Sequence, residues 1–78
     1  MERRVNHVRK ALGMRIRGLL EEGGWSQEAL RERSALSGKF IGEVERGEKS
    51  ISVDSLYRVS VALKIQLRKL IDLPARPQ

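Results

Sequence analysis

The 78-residue sequence predicts an all-α fold, a compact domain of five short helices. Apolar residues recur at helical spacing, serines stand where three helices would begin, and no segment alternates for the length of a strand. The length allows one small domain with a modest core, and the absence of cysteine excludes disulfides and thiolate metal sites that would stabilise it. We therefore expect self-association to stabilise the fold.

The first helix is predicted from apolar residues three or four positions apart, and it ends at the glycine pair Gly23 and Gly24. The members of this stripe are Val5, Val8, Leu12, Ile16, Leu19 and Leu20. We expect three parts in the chain: a basic N-terminal extension of this helix at 1–10, a single domain at 11–73 and a C-terminal tail at 74–78.

Three serines predict the starts of the next three helices. Ser26 lies between Trp25 and Leu30, which have the spacing of a hydrophobic staple around a helix N-cap. The same arrangement recurs around Ser37 and Ser52, so helices should begin at about residues 27, 38 and 53.

The ends of these helices are marked as well. Gly47 ends the third helix, and Pro74 and Pro77 confine a fifth helix to about 67–72. The segment 26–46 then holds two helices of about eight and nine residues joined by about three residues. That is the spacing of a helix-turn-helix unit.

The net charge of +6 is concentrated at the two ends of the chain. Residues 1–20 carry +5, residues 21–54 carry −3 and residues 55–78 carry +4. The pI near 10.5 makes a polyanion the first partner to consider. Basic ends around a mildly acidic middle indicate electrostatic anchoring at the edges of a more selective centre, although solubilising charge is an equally good explanation of composition alone.

The basic residues of the N-terminal extension have two interpretations. Arg3, Arg4, Arg9 and Lys10 either wrap a neighbouring groove of nucleic acid or form a disordered solubilising tail, and the sequence slightly favours the second.

The third helix supplies the candidate residues for reading double-stranded DNA. If its N-terminal residues enter the major groove, Ser37, Gly38, Lys39, Gly42 and Glu43 face the base edges. Lys39 suits guanine O6 and N7, and Glu43 suits cytosine N4. The two glycines would allow the helix to approach the groove closely, at a cost of roughly 1 kcal/mol each in helix stability.

Four other residues are candidate DNA contacts. Gln27, at the first position of the second helix, is expected to bond a phosphate beside the positive helix N-terminus. Phe40 is expected to touch a thymine methyl or a sugar rather than the core. Arg46 and Lys49, beyond the third helix, are expected to contact the DNA backbone more than the bases.

Enzymatic and membrane functions find little support. The single histidine, His7, provides neither a metal site nor an oriented base, and the glycines form no phosphate-binding motif. We expect no cofactor and no metal. No apolar run is long enough to span a bilayer and no targeting signal is recognisable, so we expect a cytoplasmic location.

The stretch from Leu12 to Leu73 resembles the phage-repressor/Cro type of helix-turn-helix domain, also called xenobiotic-response-element regulators, which have a lambda-repressor-like fold. The resemblance is carried by Ser26-Gln27-Glu28, Ile41, Glu45-Arg46-Gly47 and Leu56 to Ile71 with its Ala62-Leu63 pair. Within that family, Ile51-Ser52 after Glu48-Lys49-Ser50 is similar to restriction-modification controller proteins. The resemblance implies a sequence-specific transcriptional regulator with its third helix, about 38–46, in the major groove.

Three residues depart from the family pattern. Arg31 replaces a small alanine between the two helices, so its stem must extend outward or the helix crossing must open. Ala35 replaces a turn glycine that often has positive φ. Leu20 replaces an arginine that in many relatives pairs with the residue at Glu45, and we expect Arg17 or Arg46 to pair with Glu45 instead.

A single such domain makes few base contacts, so we expect a homodimer on a (pseudo)palindromic operator with half-sites about 34 Å apart. Leu67, Ile71 and Leu73 have no obvious use within the chain and are the predicted dimer interface. The alternative is a helix-turn-helix protein-interaction module of the antitoxin or antiactivator type, which the acidic middle of the chain leaves open.

Overall fold

The structure, a computed structural model, describes residues 2–73, and in that range it contains helices and turns only. The helices are α1 (Glu2–Gly23), α2 (Gln27–Ser34), α3 (Gly38–Glu45), α4 (Val53–Leu63) and α5 (Leu67–Leu70). The predicted all-α, five-helix fold is confirmed, and so are the three predicted helix starts. The predicted tail at 74–78 lies outside the described residues.

The three serine caps have one geometry. Each serine is extended, and its Oγ accepts a hydrogen bond from the backbone N–H three residues later, as an N-cap should. The bonds join Ser26 to Ala29 at 3.0 Å, Ser37 to Phe40 at 3.0 Å and Ser52 to Ser55 at 3.1 Å. These local bonds fix where α2, α3 and α4 begin.

Two helices end at left-handed residues that are not glycine. Ala35 after α2 has φ 63° and Lys64 after α4 has φ 59°. The positive φ expected at Ala35 is therefore retained, at a cost of roughly 1 kcal/mol. Gly47, with φ 76°, supplies the corresponding turn after α3 without that cost.

All five helices contribute to one apolar core. Its buried members are Leu12, Ile16, Leu20, Leu30, Ile41, Val44, Leu56, Val59, Ala62, Leu63 and Leu70. Two helices meet closely at Gly13 of α1, where an added Cβ would overlap the carbonyl oxygens of Val44 and Glu45. This contact sets the position of α3 against α1.

The two ends of the described chain compare differently with the expectation. Residues 2–10 continue α1, in line with an extension of that helix and not with the slightly favoured disordered tail. The fifth helix stops at Leu70 rather than near residue 72. The backbone already leaves the helical region at the C-cap Ile71, whose φ is −101° and ψ is 16° and whose N–H closes the last turn on the carbonyl oxygen of Leu67.

The predicted dimer residues do not share one environment. Leu67 and Leu73 are half-buried and pack against the core, so the expectation that they have no use within the chain is wrong. Of the three predicted dimer residues, only Ile71, which is 49% exposed, is left free for a partner as expected. Leu67 lies in α5 and Leu73 follows it, and both side chains pack against the core, which helical spacing alone does not predict.

The outer face of α4 carries apolar side chains that the expectation did not include. Val53, Tyr57 and Val61 are 68%, 60% and 57% exposed. They are four residues apart and therefore form one stripe along the helix. We call these three residues the α4 stripe.

Candidate nucleic-acid interface

The two faces of α3 differ in burial. Ile41 and Val44 are buried in the core. On the outer side Ser37, Gly38 and Lys39 are exposed at the start of the helix. The serine cap therefore aims the first turn of α3 at solvent, with three free backbone N–H groups and a cation beside it.

Further along α3 the outer side is partly covered. Gly42 and Glu43 are half-buried, and Arg46 at the C-cap is exposed. Lys49 is also exposed, in the loop that leads to α4. These residues extend the exposed surface of the first turn toward the end of the helix.

Phe40 is placed differently from the other candidate residues. Its ring is half-buried and packs against the core, so the expectation that it avoids the core is wrong. The reason is that Phe40 precedes buried Ile41 and lies at the edge of the apolar stripe of the helix. Only the exposed half of the ring is available to a partner.

Gln27 connects the start of α2 to the end of α3. Its side-chain Nε2 donates to Oε1 of Glu45 at 2.7 Å. The bond fixes which end of the Gln27 amide is nitrogen, and it uses one of the two Nε2 hydrogens. The second hydrogen remains for an acceptor in front of α2.

The expected partners of Glu45 are wrong. Arg17 pairs with Glu21 at 3.6 Å, and Arg46 pairs with Glu48. Arg46 follows Glu45 directly and so points about 100° away around the helix axis, which prevents it from reaching the carboxylate that faces α2. Glu45 accepts from Gln27 instead, which leaves its buried Oε2 without a hydrogen-bond partner among the described residues.

Arg31 extends outward, which is the first of the two expectations for this residue. Nη2 of its guanidinium lies 3.8 Å from Oε2 of Glu28, and the stem of the side chain passes beside the start of α3. An added Cβ at Gly38 would be 3.4 Å from Cδ of Arg31, which is ordinary contact. Gly38 thus borders the stem of Arg31 on one side.

Arg46 and Glu48 form a two-point ion pair beside the outer face of α3. Nε of Arg46 donates to Oε2 of Glu48 at 3.0 Å, and Nη2 donates to Oε1 at 3.2 Å. These bonds lower the pKa of the Glu48 carboxyl and raise the pKa of the Arg46 guanidinium. Both groups stay charged at neutral pH.

Sequence reasoning did not find the role of Glu48. Glu48 lies two residues after Arg46, a spacing that brings no side chains together on a helix. The pair forms because the chain reverses at Gly47. The only sequence signal was the acidic residue immediately after the turn glycine.

A family model described as helix-turn-helix matches residues 16–70, well over half of the chain. The chain belongs to this helix-turn-helix family. The matched range includes α2, α3 and α4 completely and ends with α5. The predicted membership of the xenobiotic-response-element regulators is confirmed.

Individual relatives agree with this family. Control protein C.BamHI from Bacillus amyloliquefaciens is 32% identical over 69 residues, which cover 87% of this chain and 85% of that protein. The structure of the restriction-modification controller protein C.AhdI from Aeromonas hydrophila aligns with a TM-score of 0.77 and 35% identity over 80% of this chain and 94% of that chain. The predicted similarity to controller proteins is confirmed.

A relative outside the controller proteins has the same fold. The clp gene regulator ClgR from C. glutamicum aligns with a TM-score of 0.77 and 32% identity over 81% of this chain and 82% of that chain. Like these relatives, the chain is a helix-turn-helix transcriptional regulator and not an enzyme. Within the described residues no helix is long and apolar enough to cross a bilayer.

Proposed function

We propose that the chain is a sequence-specific, double-stranded DNA-binding regulator that inserts α3 into the major groove and acts as a homodimer in the cytoplasm. The observation that carries this proposal is the division of α3, whose inner face is buried while Ser37, Gly38 and Lys39 are exposed at its first turn. Residues at the N-terminal end of such a helix are the ones that contact base edges. Lys39 donates to guanine, and Ser37 donates to a base or a phosphate.

Gln27 fixes the protein on the DNA backbone in this proposal. Its Nε2 hydrogen that is free of Glu45 donates to a phosphate, next to the positive end of α2. A phosphate contact positions the domain on the duplex and carries no base information. Lys49 adds a second backbone contact beyond α3.

The dimer is the other half of the proposal. The α4 stripe, Val53, Tyr57 and Val61, supplies exposed apolar surface along one side of α4, and Ile71 after α5 is exposed as well. Exposed apolar residues that lie together mark association surfaces. This surface replaces the predicted one, from which Leu67 and Leu73 are largely withdrawn into the domain.

The relatives support the same function by their described roles. Two of them are a control protein and a restriction-modification controller protein, and their lengths match this chain closely. A homodimer of so short a chain has to bind both DNA and its second copy through one domain, and the two proposed surfaces share no residue.

The test starts with in vitro selection of an operator from random duplexes by the full chain. Fluorescence anisotropy then measures the affinity of two variants for that operator and for single-base changes in it. The parent should bind the selected operator more tightly than an operator changed at the base pair that Lys39 contacts, and Lys39→Ala should reduce that affinity ratio by roughly 5- to 150-fold, which is the value of one good base contact. Gln27→Ala should lower the affinity for every duplex by about the same factor, so that the ratios between duplexes stay as in the parent.

A salt titration separates this function from a protein-interaction module. Neutralised phosphates release counterions, so affinity for duplex should fall steeply as salt rises. If selection enriches no sequence, or if Lys39→Ala and Gln27→Ala both bind every duplex as the parent does, the proposed placement of α3 is wrong.

A further inference from the structure

The side chain of Arg46 lies on the outer face of α3 and not beyond its end. Side chains on a helix lean toward its N-terminus, so Arg46 covers the position four residues earlier, which is Gly42. A Cβ added at Gly42 would lie 3.1 Å from Nη1 and 3.9 Å from Cζ of Arg46. The guanidinium therefore occupies the space that a side chain at Gly42 would take.

Glu48 holds the guanidinium in this place by one defined edge. Nε and Nη2 donate to the two carboxylate oxygens at 3.0 and 3.2 Å. An arginine has five N–H donors in a plane, and this contact uses two of them. The end edge, with one outward hydrogen on each of Nη1 and Nη2, keeps the parallel pair of donors that bidentate recognition requires.

We propose that Arg46 reads a guanine through O6 and N7 at the Gly42 turn of α3, with Glu48 as the residue that positions its guanidinium. This inference rests on the proposed DNA-binding function and deepens it. In it, the missing side chain of Gly42 leaves room for the guanidinium of Arg46 on the outer face of α3. A guanine edge offers two acceptors side by side, which match the two free hydrogens of the end edge.

The surrounding charges favour a base over a phosphate as the partner. The carboxylate of Glu48 neutralises the guanidinium through two hydrogen bonds and is the main cause of the raised pKa of Arg46, to which Glu43 and Glu45 add smaller contributions. A phosphate approaching this group meets the negative charge of Glu48. The neutral acceptors of guanine do not have that penalty, and they still gain from a charged donor.

The experiment uses the full chain and the operator selected from random duplexes. Each guanine of a half-site is replaced in turn by 7-deazaguanine, which pairs normally and lacks N7. Because Lys39 is also proposed to contact a guanine, we expect a second guanine at which this change weakens the parent by roughly fivefold or more. The Arg46→Ala variant should bind the natural operator more weakly than the parent does, and 7-deazaguanine at that position should cause no further loss of affinity.

Glu48→Gln tests the positioning role separately from charge. Removal of a negative group near DNA should raise affinity for an unrelated duplex, whereas loss of the two-point contact should shrink the 7-deazaguanine effect at the same guanine. A merely structural or repulsive Glu48 would leave that effect unchanged. Arg17→Ala, which breaks the exposed pair with Glu21, is the matched control and should leave selectivity as in the parent.

The outcomes are separable. If the parent selects an operator and Arg46→Ala weakens every duplex equally, with the 7-deazaguanine effects of the parent intact, Arg46 is a phosphate contact and the inference is overturned. If the parent selects no operator, the proposed function fails and the inference fails with it. Circular dichroism of each variant confirms that the helical fold is retained.

Discussion

The outer faces of α3 and α4 differ although the two helices are built by the same local rules. Each begins at an extended serine whose Oγ accepts a backbone N–H, and each buries an apolar stripe in the shared core. On the outside, α3 presents small and charged residues such as Gly38, Lys39 and Gly42. On its own exposed side α4 presents the apolar α4 stripe, Val53, Tyr57 and Val61.

This difference shows where function is encoded in so small a domain. The caps and the buried stripes determine that a helix forms and which side faces the core. The outward residues are free of that requirement, so they determine what the helix binds. A polar face with room for close approach suits a DNA groove, and an apolar face suits a second copy of the chain.

The largest expected effect comes from the α4 face. In a symmetric dimer each copy buries one Tyr57 side chain, which should contribute about 1.5 kcal/mol to the free energy of association. Tyr57→Ala should therefore weaken the dimer by about 3 kcal/mol in total. Sedimentation equilibrium measures the dimer dissociation constant. Lys39→Ala, on the α3 face, is the control and should leave it unchanged; equal association of Tyr57→Ala and parent would exclude the α4 stripe from the interface.

A second substitution tests the close contact of α1 with α3. Gly13→Ala places a Cβ against the carbonyl oxygens of Val44 and Glu45, which are backbone and cannot move aside, so unfolding should require about 2 kcal/mol less. Chemical denaturation measures this change. Gly18→Ala is the matched control in α1, because nothing lies within 4 Å of its added Cβ, and it should stabilise the chain slightly. Similar destabilisation by both variants would contradict the close contact of α1 with α3.

The turns that follow α2 and α4 provide a smaller test. Ala35 and Lys64 both hold positive φ with a Cβ present, so Ala35→Gly and Lys64→Gly should each stabilise the chain by up to about 1 kcal/mol. Thermal unfolding compares each with the parent. A loss of stability at either position would show that the left-handed turn is not strained there.

The smallest expected effect is the pH dependence of the Arg46–Glu48 pair. Because the pKa of Glu48 is lowered from 4.5, its contribution to folding is present above that value and is lost as the pH falls through the lowered one. The difference in melting temperature between parent and Glu48→Gln should therefore be present at neutral pH and shrink as the pH falls below 4.5. The pair is solvent-exposed, so the change should be small and should weaken further in salt. A difference independent of pH would mean that Glu48 acts through something other than its charge.

Local patterns were sufficient to predict most of the fold. The cap at Ser26 and the spacing of Ile41 and Val44 depend on neighbours within four residues, so sequence reasoning placed α2 and α3 correctly. The bond of Gln27 to Glu45 joins residues 18 apart. It depends on how α2 crosses α3, which periodicity does not determine.

The same limit explains one surface expectation that failed and one surface that was not predicted. Leu67 and Leu73 read as spare apolar residues because α5 is too short to show a periodic face, and tertiary packing covers them. On α4 the exposed residues Val53, Tyr57 and Val61 have helical spacing, and so do the buried residues Leu56, Val59 and Leu63. Spacing alone therefore does not determine which side of α4 faces the core.

In the proposed complex the outer face of α3, and not that of α4, contacts DNA. Amide NMR spectra of the full chain, recorded with increasing amounts of the selected operator duplex, test this placement most directly. We expect the largest shifts at Gly38, Lys39, Gly42 and Glu43, with the amides of Val53, Tyr57 and Val61 little changed. Large shifts along α4 with an unaffected α3 would contradict it.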